Sequence, residues 1–177
     1  MQLDQCPTPL LGFCAFSGTG KTTLLTQLIP LLKATGIHLA VIKHAHHQFD
    51  VDKKGKDSYE LRHAGATQML ISSSRRWALM TELDDQQEEL TLPSLIEQID
   101  HENIDLILVE GFKKEAFTKI ELHRPSLGHP KMYPDDKNII AFASDEPCNV
   151  AESIVCLDIN EPKEIATFIV SHFKLKQ

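Results

Sequence analysis

The sequence predicts an α/β fold in three layers, a mostly parallel central sheet with helices on both faces. Apolar runs of strand length alternate with segments whose leucines and isoleucines recur at helical spacing. That alternation implies parallel strands joined by right-handed crossovers. The first run is apolar at nearly every position, as a strand covered on both faces must be, and it passes directly into a glycine-rich turn and a helix.

Residues 10–15 form the first strand. From Lys21 onward Leu24, Leu25, Leu28, Ile29 and Leu32 mark one helix face. Gly36 stops that helix after Thr35, and Pro30 perturbs its middle turn. Residues 39–42 are a short second strand. The polar stretch 43–58 leaves the C-terminal end of that strand, which puts it at the ligand-binding edge of an open α/β sheet. Asp57 with Glu60 gives a capping-box-like start to a helix through Arg62, ended by Gly65. Residues 68–72 and 77–80 are two short strands around Ser73, Ser74, Arg75 and Arg76. Thr91 caps a helix with Pro93 in its first turn and Leu95, Ile96 and Ile99 along it. Residues 104–111 make a buried strand that closes on Glu110 and Gly111, and 119–122, 138–143 and 154–157 are further strands. Asn160 caps the closing helix, with Pro162 in its first turn and Ile165, Phe168, Ile169 and Phe173 on one face.

At 177 residues the chain suits a single domain over residues 1–177 with a substantial core. A net charge of −7 argues against broad nucleic-acid or membrane-surface binding, which needs a basic footprint. Cys6, Cys14, Cys148 and Cys156 lack Cys-x-x-Cys spacing and read as small core hydrophobes in a reducing compartment. Residues 1–4 show neither the charged nor the apolar region of a signal peptide, and no apolar run approaches membrane-spanning length. A cytoplasmic protein is expected.

The chemistry concentrates at Ser17, Gly18, Thr19, Gly20, Lys21, Thr22 and Thr23, the second half of a P-loop. The glycines let backbone N–H groups turn inward around an anion at a helix N-terminus. Lys21 reaches the β/γ-phosphates and the Thr22 hydroxyl meets Mg²⁺. The first glycine of the usual pattern is Ala15 here, so the opening bend must suit a Cβ. A dinucleotide fingerprint fits less well, because its third glycine position is Thr23.

Glu110 ends an apolar strand where a P-loop protein places the acid that serves Mg²⁺ or orients attacking water. A strand-end acid paired with a lysine is the plain alternative. Asp105, at the strand's start, reads as structural. Asp145 follows the strand 138–143 and is the candidate base reader. One carboxylate can accept the N1–H and amino group of guanine side by side, and adenine offers no such pair. The Asn-Lys-x-Asp signature is missing, and a loop-capping aspartate is the competing reading. His44, His46 and His47 with Asp50 and Asp52 suit either a transition metal or a switch-like loop. In the second case the aspartates face Mg²⁺, and the lysines and histidines face phosphate or a partner. The basic pairs Arg75-Arg76 and Lys113-Lys114 suit an anionic substrate or plain solvent exposure.

Together the stretches 16–23, Ile42-Lys43-His44-Ala45-His46-His47, Gly55-Lys56-Asp57-Ser58-Tyr59-Glu60-Leu61-Arg62, 76–80, 108–113 and 143–145 resemble the MobB family of molybdopterin-guanine dinucleotide biosynthesis adaptors. The resemblance runs from about residue 10 to residue 173. It implies a homodimeric GTP-binding P-loop protein with weak GTPase activity. Such a protein would assist a MobA-type guanylyltransferase, MobA being the enzyme that attaches GMP to molybdopterin. On the residues themselves, Lys21 and the 17–22 backbone are expected to hold the β/γ-phosphates, Thr22 and Glu110 to anchor Mg²⁺, and Asp145 to read guanine. Two other activities fit the same motif: a small-molecule kinase, and a metallochaperone GTPase using the histidines. A kinase clamps phosphoryl groups with several arginines, and this chain has only Arg62, Arg75, Arg76 and Arg124.

Overall fold

The computed structural model describes residues 2–45, 49–83 and 89–176. The chain forms two compact units, Met1–His44 with Thr91–Gln177, and Ala45–Leu90. In chain order the elements are β1 (Leu10–Cys14), α1 (Lys21–Ala34), β2 (Leu39–Lys43), α2 (Asp57–His63), β3 (Gln68–Ser72), β4 (Trp77–Thr81), α3 (Leu92–Ile96), β5 (Leu106–Glu110), β6 (Lys119–His123), β7 (Ile139–Ser144), β8 (Val155–Asp158) and α4 (Pro162–Phe173).

The first unit carries a six-stranded sheet in the order β2-β5-β1-β6-β7-β8, with every neighbouring pair parallel. Strand alternation divides its side chains between two cores. Leu11, Phe13, Leu106, Leu108 and Leu122 meet Leu24, Leu28 and Leu32 of α1 and Ile165 and Ile169 of α4. Leu10, Ile42, Ile107 and Val109 meet Leu92 and Ile96 of α3, together with Phe117. Helices therefore cover both faces, and β1 is buried at all positions because each alternate set has its own partner. Each leucine so enclosed contributes about 1.5–3 kcal/mol through burial.

The α1 helix runs through Pro30. Both Thr26 and Pro30 are exposed, so water can serve the carbonyl that lacks a proline N–H. It ends at a Thr35 cap with Gly36 at φ +86°, as the sequence indicates. Two expected caps are corrected. The α2 N-cap is Lys56 and Asp57 is already helical, while Glu60 reaches back to the Gly55 N–H at 3.2 Å. The α4 N-cap is Glu161, with Pro162 in the first turn, and Asn160 lies one residue outside. Thr91 does cap α3, its Oγ1 accepting from the Ser94 N–H. That helix closes at Ile96, before Ile99. The reading of all four cysteines as core hydrophobes holds for buried Cys14 and for Cys6, which packs partly buried against the second core; Cys148 is partly exposed, Cys156 is exposed, and the two are joined as a disulfide.

One face of β6 is polar and yet buried. Lys119, Glu121 and His123 alternate with Ile120 and Leu122, and all five are enclosed. The segment 129–136 covers the polar side chains. Lys119 Nζ donates to Asp136 Oδ2 (2.7 Å), Glu121 accepts from the Met132 and Tyr133 N–H groups (2.8 and 2.7 Å), and His123 Nε2 meets the His129 carbonyl (3.0 Å). Burial pushes the Glu121 carboxyl above its ordinary range, and those two N–H bonds offset part of the rise.

The second unit contains α2 and the antiparallel hairpin β3–β4, in which Leu70 pairs with Leu79 and Ser72 with Trp77. Arg62 gathers the carboxylates of Asp50, Asp52 and Glu82. No helix among the described residues is long and apolar enough to cross a membrane.

Candidate functional site

β1 ends at Cys14 and α1 begins at Lys21, so the glycine-containing turn occupies the gap between a central strand and a helix N-terminus. Gly18 and Gly20 hold φ of +81° and +97°, a region that costs a residue with a Cβ about 1–2 kcal/mol. Ala15 is not among the residues with positive φ, so the bend that opens the loop accepts its Cβ. Thr19 is buried and ties the loop to itself, its Oγ1 donating to the Phe16 carbonyl at 2.9 Å. Gly20 is the N-cap and offers no side chain to the first N–H groups of α1. Those donors have no partner within the helix, which makes the turn suited to an anion. Ser17, Gly18, Thr22 and Thr23 are exposed, and Lys21 is partly exposed.

Parallel pairing places Glu110 opposite Phe13 on β1 and opposite Lys43 on β2. Its carboxylate stands between two ammonium groups, Lys21 Nζ at 3.6 Å from Oε1 and Lys43 Nζ at 3.5 Å from Oε2. The phosphate-type lysine and the strand-end acid thus come together. Thr22 Oγ1 and the Glu110 carboxylate are hard oxygen donors of the kind that serve Mg²⁺. After Glu110 the backbone takes an uncommon course, with Gly111 at φ +101° and Phe112 at φ +49°. A Cβ on Gly111 would lie 2.6 Å from His44 Cβ, so the glycine admits that histidine, whose ring meets Phe112 at 4.7 Å. Asp105 sits away from these groups and accepts the His38 N–H at 2.8 Å.

Asp145 follows β7 and borders a cavity of about 400 Å³. Ser144, Glu146, Asp158 and Glu164 also line it, with no lysine or arginine among the described residues. Asp145 Oδ2 accepts from Arg124 Nη1 at 2.6 Å. Sequence reasoning gave Arg124 no role here, and it counted Lys43 only among the lysines of the 43–58 segment that face phosphate or a partner, not as a neighbour of Glu110. The visible signal for each was its place, a cation at or just past the C-terminal end of a strand beside the landmark strands.

The histidine-rich segment divides. His44 belongs to the first unit, its N–H donating to the Glu110 carbonyl at 2.8 Å. His46 and His47 lie outside the described residues. Asp50 and Asp52, expected to face Mg²⁺, converge on Arg62 within the second unit. Among the described residues no three His, Cys, Asp or Glu side chains gather as a metal site.

The family model MobB, Molybdopterin guanine dinucleotide synthesis protein B, matches residues 10–145. The molybdopterin-guanine dinucleotide biosynthesis adapter protein of Escherichia coli (strain K12) is 55% identical over 163 residues, covering 92% of this chain and 91% of that protein. The protein of the same description from Haemophilus influenzae is 44% identical, covering 91% and 87%. Among solved structures, a molybdopterin-guanine biosynthesis protein B superposes with a TM-score of 0.70 at 25% identity, over 93% of this chain and 99% of that one. Bacillus subtilis MobB superposes with a TM-score of 0.71 at 24% identity, over 95% and 98%, a likeness of fold.

Proposed function

The chain belongs to the MobB family, and from that premise we propose that it is a GTP-binding adapter in molybdopterin-guanine dinucleotide biosynthesis, with slow GTP hydrolysis. The observation that carries the nucleotide reading is the turn before α1. Left-handed glycines there leave the helix N-terminus uncapped beside a lysine and a threonine, with Glu110 within ion-pair distance of that lysine. Lys21 and the 17–22 backbone hold the β/γ-phosphates, and Lys21 exchanges Glu110 for phosphate when nucleotide arrives. Thr22 and Glu110 would hold Mg²⁺, which would supply charge neutralisation for the phosphates. Asp145 reads guanine, and the acidic cavity beside it suits the donor-rich edge of a neutral base better than it suits phosphate.

Partner and assembly follow the same reading: a MobA-type guanylyltransferase, a cytoplasmic setting and a homodimer. The hairpin supports self-association. Leu70, Trp77 and Leu79 lie on one face of β3–β4 at 60%, 70% and 48% exposure. A two-stranded sheet is marginally stable alone and gains from a cover on such a face.

The test is parallel titration of GTP and ATP with Mg²⁺, with and without a MobA-type enzyme, on the natural chain and on Lys21→Ala. The natural chain should prefer GTP, and Lys21→Ala should lose nucleotide binding while keeping its circular dichroism spectrum. Equal binding of nucleotide by Lys21→Ala would overturn the site. Strong stimulation of turnover by an added hydroxyl compound would point to a kinase instead.

A further inference from the structure

One guanidinium gathers acceptors from three separate loops. Arg124, the first residue after β6, donates from Nε to the Thr19 carbonyl (3.1 Å), from Nη1 to Asp145 Oδ2 (2.6 Å) and from Nη2 to Asn160 Oδ1 (3.2 Å). These partners belong to the phosphate-type turn, the loop after β7 and the residue preceding the α4 cap. We propose that Arg124 is a positioning residue that sets guanine specificity by holding the Asp145 carboxylate in register with the phosphate-binding turn. The proposal rests on the GTP reading above.

The chemistry of each contact supports this role. In a trans peptide the carbonyl oxygen and the following N–H point in opposite directions. Pinning the Thr19 oxygen to Arg124 therefore turns the Gly20 N–H away from the guanidinium and leaves it available to an anion. The guanidinium lies alongside the turn, its Nε 3.9 Å from where a Cβ on Gly20 would stand.

At the other end, Arg124 engages one oxygen of Asp145. A carboxylate oxygen has two acceptor positions, so Oδ2 keeps one, and no hydrogen bond among the described residues engages Oδ1. The carboxylate is held in one orientation and can still accept two N–H groups side by side. Arg124 also supplies the counter-charge that Asp145 needs once a base covers it, since an unpaired carboxylate is costly to bury. The guanidinium spreads its donors over a rigid planar fork wide enough to reach acceptors on three loops, whereas an ammonium donates all three of its N–H groups from one atom on a flexible stem. Phosphate grip and base reading are thus mechanically joined through one side chain.

The experiment is isothermal titration of GTP and of ATP, both with Mg²⁺, on the full-length natural chain, Arg124→Ala, Arg124→Lys, Asp145→Asn and the double variant Arg124→Ala/Asp145→Asn. Loss of one charge-assisted hydrogen bond should cut the GTP-to-ATP affinity ratio about tenfold in Arg124→Ala. Arg124→Lys keeps the charge and should not restore the ratio. The double variant should discriminate no worse than Asp145→Asn alone, because both changes disable one device. Thermal melts monitor folding, and Arg124→Gln carries the same ratio test if Arg124→Ala does not fold. The proposal is overturned if Asp145→Asn abolishes the preference while Arg124→Ala keeps it within about twofold. Tighter GTP binding by Arg124→Ala would overturn it too, showing the arginine to be a plug over Asp145. A natural chain with no preference for GTP would sink the underlying reading, a result distinct from both.

Discussion

Lys119→Met tests the buried electrostatics of the sheet with one substitution. The lysine side chain is 2% exposed, its Nζ lies 5.2 Å from the centre of the Phe117 ring, and it ends 2.7 Å from Asp136 Oδ2. Methionine retains the apolar stem and removes the ammonium, so the main loss is the partner of Asp136. Breaking a fully buried pair costs about 3–5 kcal/mol. Asp136 keeps the Asn138 N–H (2.9 Å) and Asn138 Nδ2 (2.7 Å) and is 23% exposed, which lowers the expected cost. About 2–3 kcal/mol remains. Urea unfolding at pH 7 should show a lower midpoint with an unchanged slope. The pH dependence supplies a second check. Burial pushes the Asp136 carboxyl up, but the bonds from Lys119 and Asn138 outweigh it and hold the group below its ordinary 3.8. A carboxylate so depressed stabilises the fold above its unfolded value and loses that contribution as pH falls through the folded value. The advantage of the natural chain should therefore be full at neutral pH and should shrink once the pH drops below 3.8. A deficit under about 0.5 kcal/mol at pH 7, within the range of ordinary surface changes, would refute this reasoning. So would an equal deficit at pH 7 and pH 3.

Two further expectations concern the site and the hairpin. Gly111→Ala places a Cβ 2.6 Å from His44 Cβ on a residue at φ +101°. Backbone strain and overpacking together should cost about 2–4 kcal/mol, read as a fall in the urea midpoint, and an unchanged midpoint would show that the contact yields freely. Trp77 is the chain's single tryptophan and is 70% exposed on β4. If that face closes a homodimer, its emission should shift to the red on dilution, and Trp77→Ser should sediment as a monomer. Emission independent of concentration, together with unchanged sedimentation of the variant, would remove the hairpin from the interface.

What the sequence disclosed depended on how local the cause was. The run from Leu10 to Lys21 states its strand, turn and helix in consecutive residues, and the sheet adds only the partners. Gly36 stops α1 because the left-handed conformation is a property of the residue itself. Caps were less legible. Asp57 and Asn160 have good capping chemistry, yet Lys56 and Glu161 take the cap positions without any side-chain bond. Strand β6 shows the limit more sharply. Its alternation of Lys119, Glu121 and His123 with Ile120 and Leu122 describes a half-exposed strand, but the segment 129–136 supplies the partners that let the polar half be buried. The Arg124 junction was hidden for the same reason: its contacts span 21, 36 and 105 residues.

The disposition of arginines bears on whether such a site turns nucleotide over or holds it. Arg62 is committed to three carboxylates of the second unit, and Arg75 and Arg76 belong to the β3–β4 turn region of that unit. Arg124 faces Asp145 and Asn160. In the first unit the cations on Glu110, beside the helix start, are therefore lysines, Lys21 and Lys43. A lysine neutralises phosphate as a point charge, but it cannot fork around the equatorial oxygens of a phosphoryl group in transfer as an arginine can. An arginine finger contributes about 10³–10⁵ in rate to fast GTPases. On the proposed GTP reading, a first unit whose arginine, Arg124, is committed to Thr19, Asp145 and Asn160 would keep its ground-state grip and forgo most of that acceleration, the balance expected of an adapter whose GTP-bound form is the form a partner meets.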